Sequence, residues 1–216
     1  MLVTLLLVLA AYLVGSIPSG YLLVKMLRGV DVRQHGSSNI GAINVFRTGG
    51  PLLGILTLLA DTAKGTAAAA AAWSLKQPDW AIAATCFAAL LGHAFSFWLY
   101  WREHRFSEGK GVATGLGVLI GLALAGILSW WVPGGLLGFW LGGLLLPRLL
   151  TGRWWMISPV TMAAAAGVTA AVILDQPGFT FICLAVAMSL LILLRHRRNI
   201  ERLLAGKEPR IGESQR

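Results

Sequence analysis

The sequence predicts an all-α, polytopic integral membrane protein, and three observations carry that prediction. Of the 216 residues 56% are hydrophobic and only 12% are charged, where soluble domains are roughly a quarter charged. Residues 1–24, 111–147 and 154–174 contain no charge at all. About 20 apolar residues cross the hydrocarbon as a helix, because only internal pairing satisfies backbone groups where there is no water. Finally, 16 of the 18 Lys and Arg fall in alternate loops, as the positive-inside rule requires of a multi-pass chain.

Seven spans follow in order, at 2–24, 52–75, 80–101, 112–131, 134–150, 154–174 and 178–194. A polar turn at 76–79 separates the second from the third, and another at 175–177 separates the sixth from the seventh. Between the fourth and fifth stand only Val132, Pro133, Gly134 and Gly135. The basic loops then lie inside, which puts the N-terminus outside and the C-terminus in the cytoplasm. Before Lys25 there is neither a basic n-region nor a small-residue cleavage site, so the first span reads as retained. With no soluble segment, linker or repeat, residues 1–216 read as one transmembrane domain. The net charge of +9 reflects topology and attraction to anionic lipid headgroups, not nucleic acid. Cys86 and Cys183 fall within spans and make neither a disulfide framework nor a metal site.

Polar chemistry concentrates in three segments on the basic side. The first is HGSSNIGAINVFR, residues 35–47. Its glycines let backbone amides approach a ligand. Ser37, Ser38, Asn39 and Asn44 add neutral donors, and Arg47 adds a planar cationic fork suited to phosphate. The segment reads either as an anion cradle or as a surface turn. The second is GKGVATG, residues 109–115, which opens the fourth span with Gly109, Lys110, Gly111 and then Thr114. It reads as a phosphate-holding helix start or as a cap with an interfacial lysine; it is not a Walker loop, since His104 stands where the upstream glycine belongs. The third follows the last span, RHRRNIERLLAGKE at 195–208. On a continuous helix His196 shares a face with Asn199, and so does Arg195. His196 has the chemistry of a base or a phosphate ligand, while Ile200, Leu203 and Leu204 form an apolar edge suited to the membrane surface. Asp61 and Lys64, three apart inside the second span, form either a structural ion pair or a pair facing a site. His93 is a packing histidine or a site residue.

The basic loops contain only Asp31, Glu103 and Glu108 as acids before the tail, so no cluster offers the oxygen ligands of a magnesium-dependent phosphotransferase. There is no Gly-x-Ser-x-Gly elbow either. The site reads as cationic and metal-free, shaped for a phosphate-bearing ligand. A transporter or channel for organic phosphate anions would use the same loops, but it would be expected to show internal repeats, and the midplane offers only Asp61 and Lys64.

Taken together, HGSSNIGAINVFR, GKGVATG and RHRRNIERLLAGKE, with GSIPSG at 15–20, DTAKG at 61–65 and GH at 92–93, resemble the bacterial acyl-phosphate:glycerol-3-phosphate acyltransferases, the PlsY family, over essentially the whole chain. The resemblance implies transfer of a fatty acyl group from long-chain acyl phosphate to the 1-hydroxyl of sn-glycerol 3-phosphate at the cytoplasmic side of the bacterial inner membrane. No cofactor is implied, because the donor is already activated, and an enzyme producing acyl phosphate is admitted as a partner. It assigns catalytic roles to Ser37, Arg47, His196 and Asn199. By the same resemblance Asn39, Asn44, Gly109, Lys110, Gly111 and Thr114 would bind substrate and Glu208 would be structural; from the residues themselves, Ser38 and Arg195 are added as substrate ligands and Asp61 and Lys64 as a structural pair. The chain departs from the usual pattern at Glu108, in place of the first glycine of GGKG, and at Ser38 and Ile43.

Overall fold

The computed structural model describes residues 1–104, 109–152 and 156–208, and every regular element among them is helical. The chain divides into two compact units, Met1–Ile127 and Leu128–Arg216.

The first unit contains α1 (Leu2–Gly15), α2 (Ser19–Arg28), a short 3-10 turn (Val32–Gln34), α3 (Ala42–Gly49), α4 (Pro51–Ser74), α5 (Asp79–Ala94), α6 (Phe97–Glu103) and α7 (Val112–Leu124). Leu2, Leu5, Leu6 and Leu9 of α1 stay exposed, on a surface that suits lipid. Association between such helices depends on close approach of small residues rather than on hydrophobic burial. That is how α4 meets α7: Gly65 lies against the Thr114 carbonyl, and Gly117 against the Thr62 carbonyl. Thr66 Oγ1 donates to the Gly117 carbonyl at 2.9 Å. In the same way Gly15 of α1 lies against Ala89 of α5, and Gly92 of α5 against Tyr12.

Two predicted spans, 2–24 and 80–101, are each broken. Pro18 has no N–H and cannot extend α1, so residues 16–18 separate α1 from α2. The other break falls at Phe95, where Ser96 caps α6 by accepting the Leu99 N–H. Hydropathy does not register these breaks, because side chains from other helices satisfy the backbone groups they release. Ser96 Oγ donates to the Ser16 carbonyl at 2.5 Å, Tyr12 Oη to the Phe95 carbonyl at 3.0 Å and Trp98 Nε1 to the Leu13 carbonyl at 3.0 Å. Lys64 Nζ donates to the Ile17 carbonyl at 2.5 Å. Each break thus holds the other.

The second unit contains α8 (Trp131–Thr151), α9 (Ile157–Asp175), α10 (Phe179–Arg195) and α11 (Arg197–Leu204). Trp140 Nε1 donates to Thr161 Oγ1 at 3.2 Å, joining α8 to α9. Ser189 of α10 donates to the Ala165 carbonyl of α9 at 2.6 Å. Asp175 accepts from the Ser129 N–H at 2.8 Å and from Trp131 Nε1 at 2.9 Å. The fourth-to-fifth division therefore falls at residues 125–130, not at 132–135, and Asp175 holds the chain just ahead of α8.

By length and hydropathy, five segments among the described residues suit a membrane crossing: Leu2–Arg28, Pro51–Ser74, Asp79–Glu103, Trp131–Thr151 and Ser158–Asp175. A sixth is counted if α10 and α11, bent by 56°, are taken as one span. The predicted span at 112–131 is represented by α7, a helix of 13 residues, about 20 Å long at 1.5 Å per residue.

Candidate active site

In the first unit, residues 35–41 form a loop organised by one side chain. Asn44 accepts the Ser37 N–H at 2.9 Å through Oδ1. Its Nδ2 donates to the carbonyls of Val32, His35 and Asn39 at 2.9, 3.0 and 2.8 Å. Expected as a donor to ligand, Asn44 instead has its amide committed to backbone, so its contribution is the shape of the loop. Gly36 (φ 56°) and Ser38 (φ 58°) take left-handed conformations, and at Gly36 a Cβ would strike the Asn44 amide oxygen. Asn39 is buried and accepts the Gly41 N–H at 2.7 Å, an Asx-type turn that leads into α3. Ile40 anchors the loop in a core with Tyr21, Val24, Val32, Val45, Leu53 and Leu99. Ser37 is half-buried, Ser38 is exposed, and Arg47 is half-buried on α3, one turn beyond Asn44.

The glycine–lysine segment opens α7 as the sequence indicates. Gly111 caps the helix in the left-handed region (φ 80°), so Lys110 stands just ahead of the first turn. The orphan amides and dipole of that turn favour an anion. Thr114 is fully buried, and its hydroxyl has no hydrogen-bond partner among the described residues. Gly109 is explained by packing: a Cβ there would strike the carbonyl and ring of His93. Glu108 lies outside the described residues.

Beneath His93 is the charged pair of the second span. Lys64 Nζ lies 2.7 Å from Asp61 Oδ1, with both side chains buried, and Asp61 Oδ1 lies 3.7 Å from His93 Nδ1. The pair is structural in its geometry, since Lys64 also holds the break at Ile17. Through His93 it also supports the segment that carries Lys110.

In the second unit the helix does not run on through the tail. His196 ends α10 and starts α11, so the face argument for Arg195, His196 and Asn199, which needs a continuous helix, does not hold. His196 is buried, with Nδ1 2.7 Å from the Ile192 carbonyl. A carbonyl only accepts, so Nδ1 carries a proton and donates it to Ile192. Asn199 Nδ2 donates to Ser158 Oγ at 2.7 Å and to Glu208 Oε1 at 2.9 Å. Ser158 Oγ makes a short hydrogen bond to the same Glu208 oxygen, and Arg202 Nε donates to Glu208 Oε2 at 2.9 Å. Burial opposes ionisation of Glu208, but the hydrogen bonds from Ser158, Asn199 and Arg202 outweigh it and hold the carboxyl below its ordinary value. Arg195 is half-buried at the end of α10. Ser158 was missed by sequence reasoning: one serine beside a proline carries no signal until Asn199, 41 residues on, is folded against it.

The family model described as glycerol-3-phosphate acyltransferase matches residues 5–206. The chain belongs to this family. A glycerol-3-phosphate acyltransferase of Synechococcus sp. (strain CC9902) is 40% identical over 213 residues, covering 99% of this chain and 98% of the relative. Among solved structures, the glycerol 3-phosphate form of PlsY (YgiH), an integral membrane glycerol 3-phosphate acyltransferase, matches with a TM-score of 0.83 at 33% identity, over 97% of this chain and 96% of the other. Its lysophosphatidic acid form matches with a TM-score of 0.80 at 32% identity, over 97% and 95%. An acyltransferase is therefore supported over the transporter that the cationic loops alone left open. The family also accounts for the multi-pass helical architecture, since its solved member is an integral membrane protein.

Proposed function

We propose that this chain transfers a fatty acyl group from a long-chain acyl phosphate to the 1-hydroxyl of sn-glycerol 3-phosphate, releasing 1-acyl-glycerol 3-phosphate and inorganic phosphate. The observation that carries this reading is the full-length match to a solved relative in its glycerol 3-phosphate form. Local geometry supports it. A loop of turned backbone with Arg47, and a helix start with Lys110 and the buried Thr114 hydroxyl, are features suited to phosphate. We place the chemistry on the cytoplasmic side of the bacterial inner membrane, on the strength of the lysine and arginine bias. The chain 1–216 acts as one catalytic domain in this reading, because the motifs fall in both compact units.

In the proposed reaction, the glycerol oxygen attacks the acyl carbonyl carbon, the new C–O bond forms, and the bond from that carbon to the phosphate oxygen breaks. Phosphate leaves with its electron pair. The hydroxyl proton passes to a phosphate oxygen of the substrates or to His196, the two acceptors this chemistry offers. Arg47 and Lys110 offset phosphate charge, and Ser37 donates to the oxygen on which charge develops. Ser38, Asn39, Gly109, Gly111 and Arg195 shape or line the phosphate sites, and Asn199 and Glu208 fix the tail. The donor arrives activated, so alignment of hydroxyl and carbonyl supplies much of the acceleration, up to about 7–11 kcal/mol for well-oriented reactants.

The test is phosphate release by the purified, detergent-solubilised protein given palmitoyl phosphate, with and without glycerol 3-phosphate. Release that depends on glycerol 3-phosphate, with an equal amount of 1-acyl product, is expected. Activity with acyl-CoA alone would overturn the donor, and inactivity of folded protein with both donors would overturn the assignment.

A further inference from the structure

Arg33 lies four residues ahead of Ser37 and belongs to none of the three motifs. Its guanidinium makes two forks at once. Nε and Nη2 donate to Asp31 Oδ1 and Oδ2 at 2.9 and 2.6 Å. Nη1 and Nη2 donate to Glu103 Oε2 and Oε1 at 2.6 and 2.8 Å. Beneath the guanidinium lies Tyr21, whose ring centroid is 4.5 Å from Cζ. Asp31 also accepts the Arg33 N–H at 3.0 Å, which closes the 3-10 turn before the loop.

The partners of this clamp are 70 residues apart. Asp31 and Arg33 lead into the serine–asparagine loop, and Glu103 ends α6, six residues ahead of Gly109. The clamp therefore ties the chain entering the first phosphate-type loop to the chain entering the second. An isolated surface ion pair contributes little, but paired forks over an aromatic ring fix both distance and orientation. The triad is not itself an anion site: one guanidinium against two carboxylates leaves a net charge of −1, which repels phosphate. The hydrogen bonds from Arg33 hold the Asp31 carboxyl below the usual carboxylate range, so it is charged at neutral pH.

We propose that Arg33 and Glu103 are positioning residues that set the spacing of the serine–asparagine loop and the glycine–lysine loop, and thereby the affinity for glycerol 3-phosphate. This rests on the function proposed above, in which both loops hold phosphate.

The experiment measures KM for glycerol 3-phosphate at fixed palmitoyl phosphate. Glu103→Gln keeps the shape of the side chain and removes its charge and one acceptor. Arg33→Lys keeps a charge that cannot fork to two carboxylates. Each variant is expected to raise KM about tenfold, with kcat at saturating glycerol 3-phosphate changed less than about twofold. The double variant is expected to rise no further than the larger single, because one clamp is lost in either case. A purely structural defect would lower the active fraction and scale turnover without moving KM. Unchanged KM in both singles, or a double variant whose rise is the product of the two singles, would overturn the proposal. If Arg33→Lys fails to fold, Glu103→Gln decides alone, since it leaves the fork to Asp31 in place. Absence of glycerol 3-phosphate-dependent release by the unaltered protein would overturn the proposed function instead, and that result is read before any variant is compared.

Discussion

Replacing Lys64 by methionine removes an ammonium that serves two acceptors inside the second span. Lys64 Nζ lies 2.7 Å from Asp61 Oδ1 and 2.5 Å from the Ile17 carbonyl, and the two charged residues are 7% and 2% exposed. So little exposure decides the magnitude. Water cannot take over solvation of Asp61, and breaking a buried pair from one side costs about 3–5 kcal/mol. The Ile17 carbonyl, at the break between α1 and α2, loses its donor as well, at about 1–3 kcal/mol. In a chain of this length each kcal/mol moves the melting temperature by about 2–4 °C. Lys64→Met, at a combined cost of about 4–8 kcal/mol, should therefore melt roughly 10–30 °C below the unaltered protein. Adding Asp61→Leu removes the stranded carboxylate. Exchanging a buried ion pair for apolar residues of similar volume is neutral or stabilising by about 1–4 kcal/mol, which offsets the orphaned carbonyl. The double variant should return to within about 4 °C of the unaltered protein. The assay is thermal unfolding in detergent followed by the fluorescence of the nine tryptophans. A single variant as stable as the parent would show that the pair contributes nothing. A double no better than the single would show that lost packing, not stranded charge, sets the cost.

Three further outcomes follow from the same reasoning. Asn44→Ala abandons four hydrogen bonds, each worth about 0.5–1.5 kcal/mol; it should lower the melting temperature and abolish turnover, and a fully active variant would show that the loop holds its shape without Asn44. Ser37→Ala and Arg47→Ala should each abolish phosphate release while leaving the melting temperature unchanged, so wild-type rates from both would misplace the site. Glu208, held below its ordinary value of 4.5, contributes stability that is fully present above that value and lost as pH falls through the lower, folded value. Melting temperature measured from pH 6 down to 3 should therefore fall more steeply below pH 4.5 for the unaltered protein than for Glu208→Gln, and parallel curves would refute the linkage.

Much of this was legible because it is local. Apolar runs specify helices in lipid whatever they pack against, and glycine flanking a lysine marked the start of α7 correctly. Three-residue spacing was enough to bring Asp61 to Lys64, because a helix places such residues on one face. The roles of Asn44 and Ser158 were not legible, since each depends on which backbone or side-chain groups the fold delivers to it.

Sequence alone determined that this chain is helical and embedded in membrane, and which segments concentrate polar chemistry, since composition and spacing act through the solvent and through single helices. Tertiary structure alone decided where the first and third spans break and where the last helix bends at His196. It also decided which side chains shape a loop. A broken helix in lipid survives only when its released carbonyls find donors. Here those donors, Ser96 for Ser16 and Lys64 for Ile17, lie 80 and 47 residues away along the chain, beyond the reach of any local pattern.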